Sequence, residues 1–363
     1  MEDSGILHRR LGPQKVYTME LNISVIIPAY NRFGMLTRVI DSILAQTVPV
    51  FEIVVVDDGS KDETAEQMPQ WIRQKPGWSE RVRYFRQENQ GQSAAGNFGV
   101  AQAKGDWIAI AAHDDLWLPW KVGWQLRALD RYGVDCGLCF TDAWFMNNPH
   151  MKQTAFQFSG YDLDGPLGII RDPLRMVVGR HPIWTQTVLA RKDLVEQAGV
   201  FDPKLRYSED HDFLFRMALI TRFCYVSLPM VLIDRSPADI RHSGQGMNWH
   251  KAEYCLQMDQ YRFEKQLSLS KDQKIGIRRV IQRNLRSIHS HWANWYLTHR
   301  QYKKARNATR TAIGYDVTTN LILKWLLITF LPPIARMVCV AREKSVAPRY
   351  DRTSWLTASS GRK

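Results

Sequence analysis

The chain has few cysteines, no long uninterrupted apolar run and a shortage of acidic residues, and each lack narrows what it can be. Its five cysteines are odd in number and scattered over 363 residues, which excludes a disulfide framework and points to a reducing compartment. Two of them form "CGLC" at 136–139, but no second Cys or His pair at zinc spacing accompanies it, so the motif reads as part of a buried apolar strand. The opening "MEDSGILHRRLGPQKVYTMEL" carries early basic residues but no apolar core of signal-peptide length, so residues 1–21 are expected to be a short tail. The stretch from Leu321, "LILKWLLITFLPPIARMVCVAREK", is interrupted by Lys324, Pro332, Pro333 and Arg336. Its longest clean run is about half of the roughly 20 residues a spanning helix needs. Trp325 and the nearby Arg342, Lys344, Arg349 and Arg352 leave two readings: a segment lying in the interface of an anionic membrane, or a helix packed on its own domain.

Against 36 Asp and Glu stand 49 Lys and Arg, a net charge of +13, which favours an acidic partner such as a phosphorylated substrate, an anionic membrane surface or nucleic acid. The basic residues are dispersed and no zinc or RNA-binding signature is present, so a specific nucleic-acid partner is not expected. The 45% apolar content supports the core of one large domain with a smaller appendage.

What is present is an alternation of strand and helix. "ISVIIPAY" from Ile23 is a continuous apolar run of the kind found in a parallel strand covered on both faces. "GMLTRVIDSILAQT" then sets Leu36, Val39, Ile40, Ile43 and Leu44 at helical spacing, and "FEIVVVDDGS" supplies the next strand. The pattern repeats through the helix of "KDETAEQMPQWIRQ", the strand "RVRYFRQ", the small-residue helix "QSAAGNFGVAQA" and the strand "DWIAIAAHDD". The expected class is α/β, a mainly parallel mixed sheet flanked by helices, where ligands collect beyond the carboxyl ends of the strands. Tyr30 and Asn31, Asp57 and Asp58, and His113, Asp114 and Asp115 fall at three such ends and converge on one crevice. Adjacent like charges at 114 and 115 call for a positive partner, either a divalent cation or a basic side chain. Beyond Gly246 the alternation stops. Residues 246–363 are rich in helix formers, and "WANWYLTHRQYKKARNATRTAI" has the spacing of a single helix-turn-helix resembling one tetratricopeptide unit.

Taken together, "VIIPAYNR", "FEIVVVDDGSKDET", "RQENQGQSAAGNFGVAQAKGDWIAIAAHDDLWLPWK", "VFDPKLRYSEDHDFLFRMAL" and "RHSGQG" resemble, in order, the motifs of a family 2 glycosyltransferase of the GT-A fold. The likeness runs from residue 22 to 245, the extent expected of that domain, and leaves 246–363 as a helical C-terminal region with membrane contact as one reading. It implies an inverting transfer of a sugar from a nucleoside-diphosphate donor, usually a uridine diphosphate sugar, to a hydroxyl of a saccharide or lipid-linked acceptor. The family setting is surface polysaccharide or glycolipid synthesis, in the cytoplasm or at the inner face of the cytoplasmic membrane. A binding protein that has lost catalysis is the alternative.

Carried over to matching positions, Pro28 and Tyr30 line the base pocket and Asp58 accepts a hydrogen bond from the uracil ring, with Asp57 supporting the turn. Asp114 falls on the second aspartate of the family's Asp-x-Asp motif, which touches a Mn²⁺ or Mg²⁺ held by the diphosphate. Its first aspartate is replaced by Ala112. His113 is read either as a contact to sugar or ribose or as a strand-end histidine bonded to backbone. Asp210 maps to the base that removes the acceptor proton, with Glu209 beside it, while the bland reading makes both first-turn acids of a helix. Trp184, Gln186 and Thr187 are expected at the acceptor pocket, beneath a variable loop region from Asn147 to Arg180. Arg241 and His242 align with a basic loop over the diphosphate, with His242 as a candidate metal ligand. Gly96 stands where the family commonly has Arg, removing a phosphate or base contact.

Overall fold

In a computed structural model, the structure describes residues 21–78, 80–146, 153–179, 181–234, 252–273 and 275–346. The chain divides into one unit of Met1–Pro173 with His181–Ser243, and a second of Leu174–Arg180 with Gly244–Lys363.

The first unit is built on β1 (Ile23–Ala29), β2 (Glu52–Asp57), β3 (Val82–Arg86) and β4 (Trp107–Ile110), which pair in parallel in the order β3-β2-β1-β4. All seven residues of β1 and all six of β2 are buried, as expected of strands covered on both faces. The crossovers are α1 (Phe33–Leu44), α2 (Thr64–Arg73) and α3 (Gln92–Gln102). Helix α1 buries Leu36, Val39, Ile40 and Ile43, the stripe that its sequence spacing sets out, while Leu44 packs at the edge of the same core. Helix α3 lies close to the sheet because it presents glycine there: a Cβ at Gly99 would sit 2.3 Å from Ile26 Cγ2.

The other half of the nine-stranded sheet is mixed. After β5 (Leu116–Trp117) and α4 (Lys121–Tyr132) comes the long β6 (Cys136–Met146), then the short α5 (Ala155–Ser159), β7 (Leu167–Ile169) and α6 (Pro173–Val178). Strand β8 (Val188–Arg191) inserts antiparallel between β4 and β6, and α7 (Lys192–Ala198) and α8 (Glu209–Ile220) lead to β9 (Arg222–Asp234). Strand β9 runs parallel to β6 on one side and takes β5 and β7 antiparallel on the other. It contains Pro229, which cannot donate to a ladder, and the β6–β9 register shifts beside it, opposite Asp142. The region expected to be a loop from Asn147 to Arg180 holds α5, β7 and α6 among its described residues. Thr154 caps α5 in a reciprocal capping box with Gln157, a signature present in "TAFQ". Cys136 and Cys139 are buried in β6, the latter paired with Cys224 of β9.

The second unit carries α9 (Ala252–Leu269), α10 (Ile275–Thr298), α11 (Tyr302–Tyr315), α12 (Thr319–Phe330) and α13 (Pro332–Val346). Helices α10 and α11 form the hairpin read from "WANWYLTHRQYKKARNATRTAI", with Trp292, Ala305, Ala308 and Ala312 buried along it. No helix among the described residues is long and apolar enough to cross a membrane.

The close approach at Gly99 is testable. Alanine would gain ~1 kcal/mol of helix propensity over glycine, but a side chain driven into Ile26 costs about 1–3 kcal/mol, so Gly99→Ala is expected to lower the free energy of urea unfolding. A stabilised variant would mean that α3 can lift from the sheet at no cost.

Candidate functional site

The carboxyl ends of β1, β2, β3 and β4 are tied together by their own loops. After β1 the chain passes through two consecutive left-handed residues, Asn31 (φ 60°) and Arg32 (φ 66°). Such backbone costs on the order of 1–3 kcal/mol for a non-glycine residue and persists only where its surroundings enforce it. Here they do. The Asn31 amide donates to Ser60 Oγ at 2.8 Å, the Lys61 amide donates to Asn31 Oδ1 at 2.9 Å, and the Arg32 amide donates to Asp62 Oδ2.

The adjacent aspartates after β2 have separate tasks. Asp57 is fully buried, accepting from the Ser60 amide at 2.8 Å and from the Tyr84 hydroxyl at 2.6 Å, so it stabilises the turn. Burial, and then this bond to Asp57, raise the Tyr84 hydroxyl above its ordinary pKa. Asp58 reaches the other way. Its Oδ1 accepts from Gln87 Nε2 at 2.8 Å and the Gln90 amide at 2.9 Å, and its Oδ2 accepts from the Gly91 amide at 2.8 Å. One carboxylate thus gathers the whole loop between β3 and α3. Gly59 at φ 74° makes room for it, since a Cβ there would lie 2.9 Å from the Asn89 amide nitrogen. Pro28 is buried in β1, and Tyr30, just past the strand, is partly exposed.

The pair after β4 also divides. Asp115 turns inward, nearly fully buried, accepting from Gln186 Nε2 at 2.6 Å and from the Asp234 amide at 2.9 Å. Asp114 remains partly exposed with its Oδ2 3.6 Å from Arg32 Nη1. A basic side chain therefore stands beside the crowded carboxylates, a partner that sequence reading left open between cation and side chain. Ala112 and His113 flank them, both partly exposed.

Hydrogen bonds run from the β2 end to the start of α8. Asp58 holds Gly91, the residue preceding α3; within α3, Ser93 Oγ donates to Leu205 O at 3.2 Å. Asn97 pairs with Phe201 through both its amide groups, at 2.8 and 2.9 Å. The Phe201 ring lies 3.0 Å from where a Cβ on Gly96 would be, so glycine at this position makes space for that ring. Arg216 of α8 clamps the preceding loop, donating to the carbonyls of Ala198, Gly199 and Val200 while paired with the buried Asp212. Ser208, at φ 60°, then turns the chain into α8. Of four non-glycine residues with positive φ among the described residues, three border this crevice: Asn31, Arg32 and Ser208.

Glu209 and Asp210 open α8 with different surroundings. Glu209 is buried, and burial first, then the charge of Asp210, pushes its carboxyl up to about 8. Asp210 is partly exposed and accepts the His211 amide at 2.8 Å. The His211 ring packs against His181 with centroids 4.1 Å apart.

Of the three residues expected at an acceptor pocket, Trp184 is partly exposed with its ring edge-on to Phe145, 5.4 Å between centroids. Gln186 is engaged with Asp115 as described. Thr187 is fully buried, and its hydroxyl donates to Trp184 O at 2.7 Å, so its side chain is taken up in the turn. Its carbonyl accepts from Gln125 of α4 at 2.9 Å; Gln125 in turn accepts from Lys121, whose buried ammonium lies over the Trp117 ring at 3.8 Å. Burial lowers that lysine to about 7. Neither this Lys-Gln support nor Arg32 was singled out from sequence, though "YNR" and "LPWK" contain them. Arg241 and His242 lie outside the described residues. Among the described residues no three His, Cys, Asp or Glu side chains are grouped to hold a metal; Asp114 at the β4 end is partly exposed.

Residues 24–185 match the model of glycosyl transferase family 2. An uncharacterized glycosyltransferase of Rickettsia typhi is 32% identical over 204 residues, 55% of this chain and 59% of that protein's length, so the chain spans less than two thirds of it. A PGL/p-HBAD biosynthesis glycosyltransferase of Mycobacterium bovis is 30% identical over 208 residues, covering 56% of this chain and 73% of the relative. Among solved structures, TarS 1-349 of S. aureus in complex with UDP-GlcNAc superposes with a TM-score of 0.61 over 92% of both chains at 18% identity, a likeness of fold.

The state of Glu209 can be read from stability. Unfolding returns its carboxyl to an ordinary value of 4.5, so from there up to about 8 the folded protein binds a proton that the unfolded chain does not. Stability therefore falls as pH rises through that window. Glu209→Gln keeps the neutral shape and removes the dependence. The wild type is expected to lose ~1–3 kcal/mol relative to this variant between pH 5 and 8, measured by urea unfolding. Parallel curves would mean that Glu209 is ionised in the folded state.

Proposed function

Because the chain belongs to glycosyltransferase family 2, we propose that it transfers a sugar, with inversion, from a nucleoside-diphosphate donor to an acceptor hydroxyl. The observation that carries this reading is the continuous set of hydrogen bonds from Asp58 through α3 to the segment that starts α8, which holds a base-recognising carboxylate and a proton-accepting one in one rigid frame. Uridine diphosphate is the favoured donor nucleotide, supported by the fold shared with a protein solved with UDP-GlcNAc.

In this reading the aromatic face of Tyr30 and the ring of Pro28 bury the base, and Asp58 faces its N–H. Asp58 already accepts three hydrogen bonds, so one of roughly four lone-pair sites remains for the ligand. Asp57 keeps the turn in place from beneath, and His113 lies where it can meet ribose or sugar. The donor set fits a Mn²⁺ or Mg²⁺ carried mainly by the donor's own phosphates, because Ala112 contributes no ligand and Asp114 adds one hard oxygen; Mg²⁺ is often held by one or two carboxylates plus substrate phosphates. Such an ion supplies positive charge to the departing diphosphate. Arg32, 3.6 Å from Asp114, brings a second positive group to the same rim.

Asp210 takes the proton of the acceptor hydroxyl as its oxygen attacks the anomeric carbon from the face opposite the leaving nucleoside diphosphate. Glu209 beside it is buried, and burial holds its carboxyl up at about 8, so of the two acids it is the more exposed Asp210 that faces the acceptor side. Trp184 offers a flat apolar face suited to a sugar ring, and Gln186, fixed by Asp115, borders it. The acceptor is a saccharide or lipid-linked molecule of surface polysaccharide or glycolipid synthesis, a setting supported by the name of the M. bovis relative.

Asp210→Asn tests the reading. With a panel of nucleotide-sugars and saccharide acceptors, the variant is expected to release nucleoside diphosphate ~10²–10⁴ times more slowly while donor binding changes little. Unchanged turnover would remove Asp210 as the base. Turnover absent from the wild type as well, with donor binding retained, would favour the reading of a nucleotide-sugar-binding protein, for which Ala112 is the motivating departure.

A further inference from the structure

The C-terminal helices α12 and α13 are apolar on both sides: they bury Leu321, Ile328, Ala335 and Cys339 and also expose apolar side chains. From Leu321 to Ala341 every exposed residue is apolar. Leu323, Phe330 and Met337 are 57, 72 and 65% exposed, and Leu326, Ile334 and Val338 continue the same face. Within α12 the spacing of 323, 326 and 330, and within α13 that of 334, 337 and 338, sets each group on one side of its own helix. The two cations of this stretch point the other way. Lys324 Nζ donates to Ser290 O at 3.2 Å and Asn294 Oδ1 at 2.7 Å, and Arg336 Nε donates to Thr298 O at 3.5 Å, so both charges are drawn onto α10. A surface helix normally presents polar residues on its outer face, and contiguous apolar surface of this kind marks a contact with a partner or membrane.

We propose that the α12–α13 face rests in the interfacial region of an anionic lipid bilayer, holding the protein peripherally on the membrane. Three observations select lipid over a second copy of the chain. The face carries no charged or polar side chain to form the rim that gives a protein interface its register. The 12 residues of α12, ~18 Å long, are too short to span the hydrocarbon core but suited to lying along it. In the sequence the apolar face is followed by Arg342, Lys344, Arg349 and Arg352, in a chain of net charge +13, and basic residues beside an inserted apolar face complement anionic headgroups. The proposal stands independently of glycosyl transfer.

The test is flotation of the full chain with vesicles of about one quarter phosphatidylglycerol in phosphatidylcholine, compared with phosphatidylcholine alone. The wild type is expected to float with the anionic vesicles and less with the neutral ones. Combined Leu323→Glu, Phe330→Glu and Met337→Glu should reduce the bound fraction by ~10-fold or more, at unchanged melting temperature, since all three side chains are exposed in the folded state. Wild type that stays at the bottom of the gradient, or a triple variant that floats as well as wild type, overturns the proposal. A wild-type dimer that the triple variant converts to monomer, without vesicle binding, overturns it in favour of a contact between copies.

Discussion

The crevice depends on the Asp58 carboxylate accepting three donors from the loop between β3 and α3. A buried carboxylate is costly without partners, and backbone N–H donors are the partners a turn can offer. By satisfying itself with Gln90 and Gly91, Asp58 sets where α3 begins; by its bonds to Phe201 and Leu205, α3 sets where the chain enters α8. The residue proposed to face the base is therefore also the one that positions the start of α8. On the proposed reading, recognition and catalysis would share one scaffold, of the kind that keeps reacting groups in register.

The same economy appears at the end of β4. Two adjacent carboxylates avoid each other by facing opposite ways: Asp115 goes inward to Gln186 and the Asp234 amide, and Asp114 stays at the rim beside Arg32. Asp115 thereby ties together two segments, that of Gln186 and the end of β9 from which the basic "RHSGQG" follows in sequence. Strain sits in the same places, at Asn31, Arg32 and Ser208, where left-handed backbone aims the chain across the crevice. Glu209 and Asp210 show how one environment can separate two neighbouring acids: burial pushes the Glu209 carboxyl up, while Asp210 stays partly exposed.

The parallel half of the fold was legible because its strands are continuous apolar runs and its helices have clean stripes, so position along the sequence alone put Asp57, Asp58, Asp114 and Asp115 at strand ends. The mixed half was less so. Strand β9 is interrupted by Pro229, which a bulge accommodates, and β8 takes its place between β4 and β6 by tertiary pairing that no local pattern announces. Direction was harder to see than position. Thr187 lies one residue from Gln186, yet its side chain is fully buried, and its inward turn depends on the short helical turn at Thr185–Thr187 and on Gln125 from α4. Gly96 looked like the loss of an arginine and proves to be the gap that Phe201 fills. Partners distant in sequence, such as Arg32 for Asp114, become visible only when the strands are side by side.

The most direct measurement is calorimetric titration of uridine diphosphate into the protein, once with Mn²⁺ and once with chelator. Micromolar binding that weakens at least ~10-fold when Asp58 is replaced by Asn, and that depends on Mn²⁺, is the expected result, corresponding to about 1.4 kcal/mol or more per effect. Absence of binding in both conditions, or binding indifferent to Asp58, would contradict a nucleoside-diphosphate crevice at the ends of these strands.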